Sequence, residues 1–493
     1  MGDRKLILAV ALSGLVVVFF GIVLPMITGQ KAPGKDKGGE TPVARGGGGD
    51  ADRGPAGDAE PTIGESREVD EPGEAAGHEA DDALASGVST GSRLSTSWYE
   101  ATLSSAGGVI ASWILKGPRY VHDTAAGKTV PIDMVRLTPG ARPRAHLAFR
   151  ATWPGGEIPT GLEYETRGGK DGKIVFTART DEWAVERTFR SLDTPYEIET
   201  VTKLTNVSGA KLDVTPRVSV RLYRKIEASA GILGFLKPVR EKLEGICSLD
   251  GDLKRQDLKK VQSKGGLDRL GNIDYVGVAD HYFLSALVPA WDLLPGGDGG
   301  GSARPEARCR VTADTAGVIT GTLDFGKTEV ADGETIVMPA RAFIGPKEYE
   351  TLKAVGLGSA IDYGWFGSLA RFLYVLLRTF QGWTGNWAIA IILLTITVKL
   401  VLLPLTHWSF KSMQKMQGLK PLIDDLNRKY PEPEDRDKKS KELMRLYATH
   451  KINPFIGCFP MLLQMPIWIA LYRMLAASVE LYRTPLFLWI KDM

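Results

Sequence analysis

Lys399 is the residue whose chemistry most needs an explanation. It lies inside the apolar run Ile391-Ile392-Leu393-Leu394-Thr395-Ile396-Thr397-Val398-Lys399-Leu400-Val401-Leu402-Leu403. A lysine at the middle of a membrane-spanning helix costs roughly 2.5–3.5 kcal/mol on insertion-derived scales, so it serves a purpose or escapes the hydrocarbon. Thr395 stands one helical turn before it on the same face. Gln464 supplies a further polar group near the middle of another apolar run. Polar groups at similar depth fit a wetted cavity better than a lipid-facing surface. Two blander readings compete. Lys399 could snorkel, because Leu405 is only about 9 Å further along a helix rising about 1.5 Å per residue. Gln464 could serve an interhelical hydrogen bond worth on the order of 1 kcal/mol.

Sites for other chemistry fail on inspection. Gly127-Lys128-Thr129 invites a phosphate-loop reading, but His122 occupies the position where that motif needs its first glycine. The histidines His78, His122, His146, His281, His407 and His450 are scattered without metal-ligand spacing. No nucleophile elbow follows a strand. The expectation is no catalytic reaction, no cofactor and no metal. A formal charge of +3 over 493 residues gives no basic field for DNA. Cys247, Cys309 and Cys458 are too few for a disulfide framework. Cys247 and Cys309 could pair or stay as free thiols.

The elements that must position Lys399 follow from where the apolar residues gather. After Arg4 and Lys5, residues 6–27 form a run long enough to cross ~30 Å of hydrocarbon. Its length and its exit at Thr28-Gly29-Gln30-Lys31 favour an uncleaved signal anchor over a cleaved signal. The basic flank keeps the N-terminus in the cytoplasm. Residues 31–93, rich in Gly, Pro, Ala and acidic residues, are a flexible linker.

From about residue 94 to 352 short β-rich runs alternate with turn residues, which predicts an all-β sandwich or barrel. The runs are Trp98 to Leu103, Val109 to Leu115 after a Gly107-Gly108 turn, Lys173 to Thr177, Ile198 to Leu204, Val214 to Leu222, Tyr282 to Val288 and Val318 to Phe325. A short helical piece, Phe235 to Leu243, is weakened by Pro238. Residues 362–382 make an amphipathic helix that suits the membrane interface, with packing on the β domain as the plain alternative.

Residues 386–406 read as the second span, with Trp383 and Trp387 as aromatic anchors. Residues 453–477 read as the third, interrupted by Pro460 and Pro466, whose freed carbonyls need partners inside protein. Between them, residues 407–452 carry Lys411, Lys415, Lys420, Arg428, Lys429, Lys438, Lys439, Lys441 and Arg445, so this stretch is cytoplasmic. Its apolar spacing predicts two helices meeting near Tyr430-Pro431-Glu432-Pro433 as an antiparallel hairpin, with a kink at Pro421. The β domain and the amphipathic tail, residues 478–493, then lie outside.

At these residues the sequence resembles the YidC membrane-protein insertase family. The motifs run in order from Asp362-Tyr363-Gly364-Trp365 through Gly385-Asn386-Trp387, Pro404-Leu405-Thr406, Ser412-Met413-x-Lys415-Met416 and Lys451-Ile452-Asn453-Pro454. They continue through Gly457-Cys458-Phe459-Pro460, Gln464-Met465-Pro466-Ile467, Ala470-Leu471-Tyr472 and Ser478-Val479-Glu480-Leu481. Gly107-Gly108-Val109 and His281-Tyr282-Phe283 match more loosely. The resemblance implies a multi-domain bacterial inner-membrane protein, with an all-β supersandwich periplasmic domain and an α-helical transmembrane core bearing a cytoplasmic helical hairpin. It implies a hydrophilic groove open to cytoplasm and lipid, in which the family's arginine aligns with Lys399, its threonine with Thr395 and its glutamine with Gln464. Nascent membrane proteins are the expected partners, served alone or with the Sec translocon, and the basic hairpin surface could meet membrane lipids, the ribosome or acidic nascent chains, or be merely a solvated charged face.

Two departures stand out. Lysine replaces arginine, which keeps charge but loses the planar donor fork. The chain stops at Met493, where family members continue through three more spans, so a fragment or truncated reading frame is expected. The competing function is a membrane-anchored periplasmic protein that binds a saccharide or a partner. A channel or transporter would need a continuous polar path that these spans lack.

Overall fold

A computed structural model describes residues 91–123, 128–136, 146–159, 161–168, 172–223, 243–294, 305–431, 435–450 and 454–484. The expected signal anchor, the linker, most of the Phe235 to Leu243 piece and the last residues of the tail lie outside this set.

Among the described residues, those up to about 346 form antiparallel sheets. The larger sheet orders its strands Asp252–Asp257, Glu244–Leu249, Ile273–Ala279, Phe283–Pro289, Thr335–Pro346, Glu197–Asn206, Trp183–Ser191, Lys173–Arg179 and Glu165–Gly168. A second sheet runs Leu267–Gly271, Ala307–Ala313, Val318–Asp324, Leu212–Tyr223, Ala148–Trp153 and Gly156–Glu157, with Thr328–Val330 paired to Leu212–Tyr223. The alternation of Trp183–Ser191 explains the layering: Trp183, Val185, Arg187 and Phe189 are buried while the residues between them are not. Phe176 and Phe189 meet edge to face at 5.8 Å between ring centres. Cys247, from the larger sheet, and Cys309, from the smaller, are joined as a disulfide with Cα atoms 6.1 Å apart. The two sheets are thereby clamped through their shared core.

A three-stranded sheet of Ser92–Ser95, Tyr99–Ser104 and Val109–Leu115 opens the domain. Its Gly107-Gly108 turn has φ of 74° and 57°, a conformation that a side chain disfavours. Arg187 holds that turn from inside the core. Fully buried, it donates to the carbonyls of Gly108 at 2.5 Å and Leu147 at 2.7 Å and lies over the Phe149 and Phe189 rings. His146 is equally buried. The Arg221 N–H donates to its Nδ1 at 3.4 Å and its Nε2 sits 3.3 Å from the Met134 carbonyl, an arrangement that suits the neutral ring. Burial lowers its pKa to about 4.

Strand Thr335–Pro346 contains Pro339, a residue that sequence rules exclude from central strands. The neighbouring strand Phe283–Pro289 ends opposite Ala340, so Pro339 has a ladder partner, Val201, on one side only.

The remainder is helical: α1 (Leu258–Lys264) beside the sheets, then α2 (Tyr349–Ala354), α3 (Gly367–Thr384), α4 (Trp387–Gly418), α5 (Lys420–Lys429), α6 (Arg436–Thr449) and α7 (Pro454–Ala477). Gly385, at φ 68°, closes α3, and the Asn386 side chain caps α4 by accepting from the N–H groups of Ala388 and Ile389. Helix α4 does not stop near Thr406 but continues to Gly418, because Pro404 removes one backbone donor without ending the helix. No kink forms at Pro421. The chain breaks at Leu419 instead, and Pro421 falls in the first turn of α5, where its missing N–H costs little. Among the described residues, α4 is the helix found long and apolar enough to cross a membrane.

Two consequences are measurable. Replacing Cys247 and Cys309 together with alanine is expected to destabilise the sheet domain by about 2–4 kcal/mol, read as a lowered Tm, and to abolish the mobility difference between reduced and oxidised protein on a gel. The second concerns His146, whose folded pKa lies below its unfolded value. The unfolded state therefore binds the proton first, and stability falls as pH drops from about 6.5 towards about 4. The loss is on the order of 3 kcal/mol, and denaturation curves at several pH values should show His146→Gln removing that part of the slope.

Candidate functional site

Helix α4 carries two of the expected site residues and α7 the third. Thr395 and Lys399, one turn apart, share a face of α4. Lys399 is exposed, and among the described residues no ion pair engages it. Thr395 is half-buried and its hydroxyl donates back to the Ile391 carbonyl at 2.8 Å, which satisfies its proton within the helix and leaves oxygen lone pairs to accept. Thr397 does the same to Leu393. Gln464 is half-buried on α7.

The packing of α4 and α7 explains why Lys399 faces outward. Ala390 and Leu394 of α4, Ala470 and Met474 of α7, and Leu373 and Leu377 of α3 are buried together in one apolar cluster. Small alanines at these contacts let the backbones approach closely. The exposed positions Ile392, Ile396, Leu400, Val401 and Leu403 then give α4 a broad apolar outer surface, as expected of a helix facing lipid. Lys399 sits among them. Helix α3 buries Leu373, Tyr374 and Leu377 on its inner face, so the apolar stripe read from its sequence packs on the other helices.

Sequence reasoning missed a second constellation, where α7 leaves the helices and meets the sheet domain. The turn after α7 buries Glu480, whose carboxylate accepts from the Tyr374 hydroxyl at 2.7 Å and the Tyr349 N–H at 3.2 Å. Burial raises its pKa, while the Tyr374 hydrogen bond opposes that rise. Arg119, beside the two-stranded ribbon Val121–Asp123 and Thr129–Pro131, donates to the Glu480 carbonyl at 2.8 Å and to Glu348 at 3.4 Å. Tyr120 donates to the same Glu348 oxygen. Nearby, Glu244 receives Arg255 at 2.9 Å and lies 3.7 Å from buried Lys347. Burial lowers the lysine's pKa and the Glu244 charge partly restores it. The available signal was Glu480 itself, an acidic residue just past an apolar run. Its partners lie 106 and 361 residues away in sequence.

Comparison with known proteins bears on this arrangement. Residues 92–376, which contain the sheets, match the family described as YidC periplasmic domain, and residues 379–493 match the family described as 60Kd inner membrane protein. A membrane protein insertase YidC from Anaeromyxobacter dehalogenans (strain 2CP-C) is 34% identical over 417 residues, covering 81% of this chain and 71% of that one. One from Pelobacter propionicus is 32% identical over 413 residues, covering 81% and 70%. A solved putative aldose 1-epimerase from Escherichia coli K12 is 10% identical over 52% of this chain and 98% of that one, at a TM-score of 0.32, and that level of likeness carries no functional weight. The insertase relatives do not favour the anchored saccharide-binding alternative. With a periplasmic sheet domain and a helical inner-membrane region matched in chain order, the protein belongs to the YidC family of membrane protein insertases.

Proposed function

We infer that the chain inserts membrane proteins into the inner membrane and that Lys399 is the centre of the client path. The observation that carries this reading is an exposed ammonium on the apolar outer face of a 32-residue helix. A charge in that setting, with no ion pair among the described residues, attracts water and any acidic group that comes near. Thr395 and Gln464 extend the polar character along α4 and α7, and together the three form a hydrophilic groove. A client segment entering the groove meets a shortened hydrocarbon path. Its acidic residues are drawn to Lys399, and its apolar helix passes to lipid along the exposed isoleucine and leucine face of α4.

In this reading the N-terminus is cytoplasmic and the sheets form a periplasmic supersandwich with α3 along the interface. Helices α5 and α6 make a cytoplasmic hairpin whose basic surface meets ribosome, lipid headgroups or nascent chain. The Tyr430 hydroxyl donates to Glu442 at 3.1 Å, which supports their pairing. The Sec translocon is a partner for larger clients. Neither nucleotide nor cofactor enters the mechanism, since the work is done by differential solvation of the client.

Charge at position 399 is the direct test. An acidic client residue about 8 Å from Lys399 gains on the order of 2 kcal/mol at an effective dielectric of 20, about thirtyfold in a binding equilibrium. Insertion of single-span clients with acidic translocated segments should fall with Lys399→Ala, fall further with Lys399→Glu, and persist with Lys399→Arg. Equal insertion by all of these, measured by protease protection, would mean that Lys399 merely snorkels. Deleting residues 94–349 should leave single-span insertion largely intact, whereas a periplasmic receptor would lose its activity.

A further inference from the structure

The segment Ser478–Thr484 is bound on two sides, by the helices and by the sheet domain. Towards the helices, Glu480 accepts from Tyr374 of α3 and from the Tyr349 N–H at the start of α2, and Ser478 donates to the Met474 carbonyl of α7 at 2.7 Å. Towards the sheets, Arg119 donates to the Glu480 carbonyl. The Tyr482 hydroxyl donates to the Val121 carbonyl at 3.3 Å, and its ring packs 5.1 Å from that of Tyr282. Arg483 pairs with Asp123 at 2.6 Å. One turn earlier, His281 of the sheet domain lies 2.5 Å from the Ala476 carbonyl, at the C-terminal end of α7. A single short turn thus ties the outer end of α7 to α3 and to the ribbon strand Val121–Asp123.

We propose that this turn is a tie that fixes the outer end of the third span, and that Glu480 is a positioning residue for insertion acting through Tyr374. The proposal rests on the insertase reading, but it concerns a different part of the molecule from Lys399. The physical case is one of stakes. A buried carboxylate whose donors are removed must be rehydrated or protonated, which here means opening the turn. Because Tyr374 and Tyr349 stand on separate helices, that opening frees α7 to shift against α3 and changes the face that α4 and α7 present together.

The experiment uses the full chain in inner-membrane vesicles with two readouts, amide hydrogen exchange of residues 478–484 and protease protection of a radiolabelled single-span client. Glu480→Ala and Tyr374→Phe are each expected to speed exchange about tenfold, the usual scale for a charge-assisted hydrogen bond, and to lower insertion. Glu480→Gln retains an oxygen that accepts from Tyr374 and is expected to restore both. Unchanged exchange in Glu480→Ala overturns the tie, and faster exchange with undiminished insertion overturns the positioning role. Should Glu480→Ala fail to accumulate, Tyr374→Phe decides the positioning role by both readouts and the exposed pair decides the tie by exchange. Arg483→Asp is expected to speed exchange about threefold, and Asp123→Arg in the same chain to reverse it. Absence of reversal overturns the proposal. A wild-type chain that inserts no client would sink the insertase reading, and exchange would still judge the tie.

Discussion

Hydrocarbon supplies no partners for polar groups, and the helical half of this protein is arranged around that constraint. Backbone groups are satisfied within the helices, and the threonine hydroxyls of α4 close onto carbonyls of their own turn. Apolar contacts among Ala390, Leu394, Leu373, Leu377, Ala470 and Met474 hold α3, α4 and α7 together. Among the described residues of α4, Ile392, Ile396, Leu400, Val401 and Leu403 are exposed with Lys399 among them, and Arg473 is an exposed charge on α7. A charge set in so apolar a face of α4 is informative.

Where the helices meet the sheets the opposite problem is solved. There polar and charged groups are buried on purpose, and each is given partners: Glu480 by Tyr374 and Tyr349, Glu244 by Arg255 and Lys347. Buried charges of this kind add little net stability but penalise every misaligned arrangement. They locate the helices on the sheet domain more sharply than apolar contact alone would. Inside the sheet domain Arg187 follows the same logic, fixing the Gly107-Gly108 turn by its carbonyls.

Much of the secondary structure was legible in the residues. The runs Val109 to Leu115, Lys173 to Thr177 and Val318 to Phe325 emerge as strands over Val109–Leu115, Lys173–Arg179 and Val318–Asp324, because β-rich stretches bounded by turn residues suit a pleated sheet. Strand Thr335–Pro346 was not legible, because Pro339 argues against a strand until the end of its neighbour is known. The extent of α4 past Thr406 was missed for a related reason. Polarity changes there, but helical propensity does not, and a change of solvent is not a helix stop.

By itself the sequence determined that an apolar helix long enough for a membrane carries Lys399, that a β-rich domain precedes it, that Lys399 and Thr395 share one helical face, and that the motif series belongs to a family of insertases. These are properties of composition, period and order, which are local. Only the tertiary structure decided that Cys247 pairs with Cys309 across two sheets, that His146 and Arg187 are interior, and that Glu480 joins Tyr374 beside Arg119. Those contacts join residues tens to hundreds of positions apart. No periodic pattern records them, because they are set by how whole elements pack rather than by any neighbouring residue.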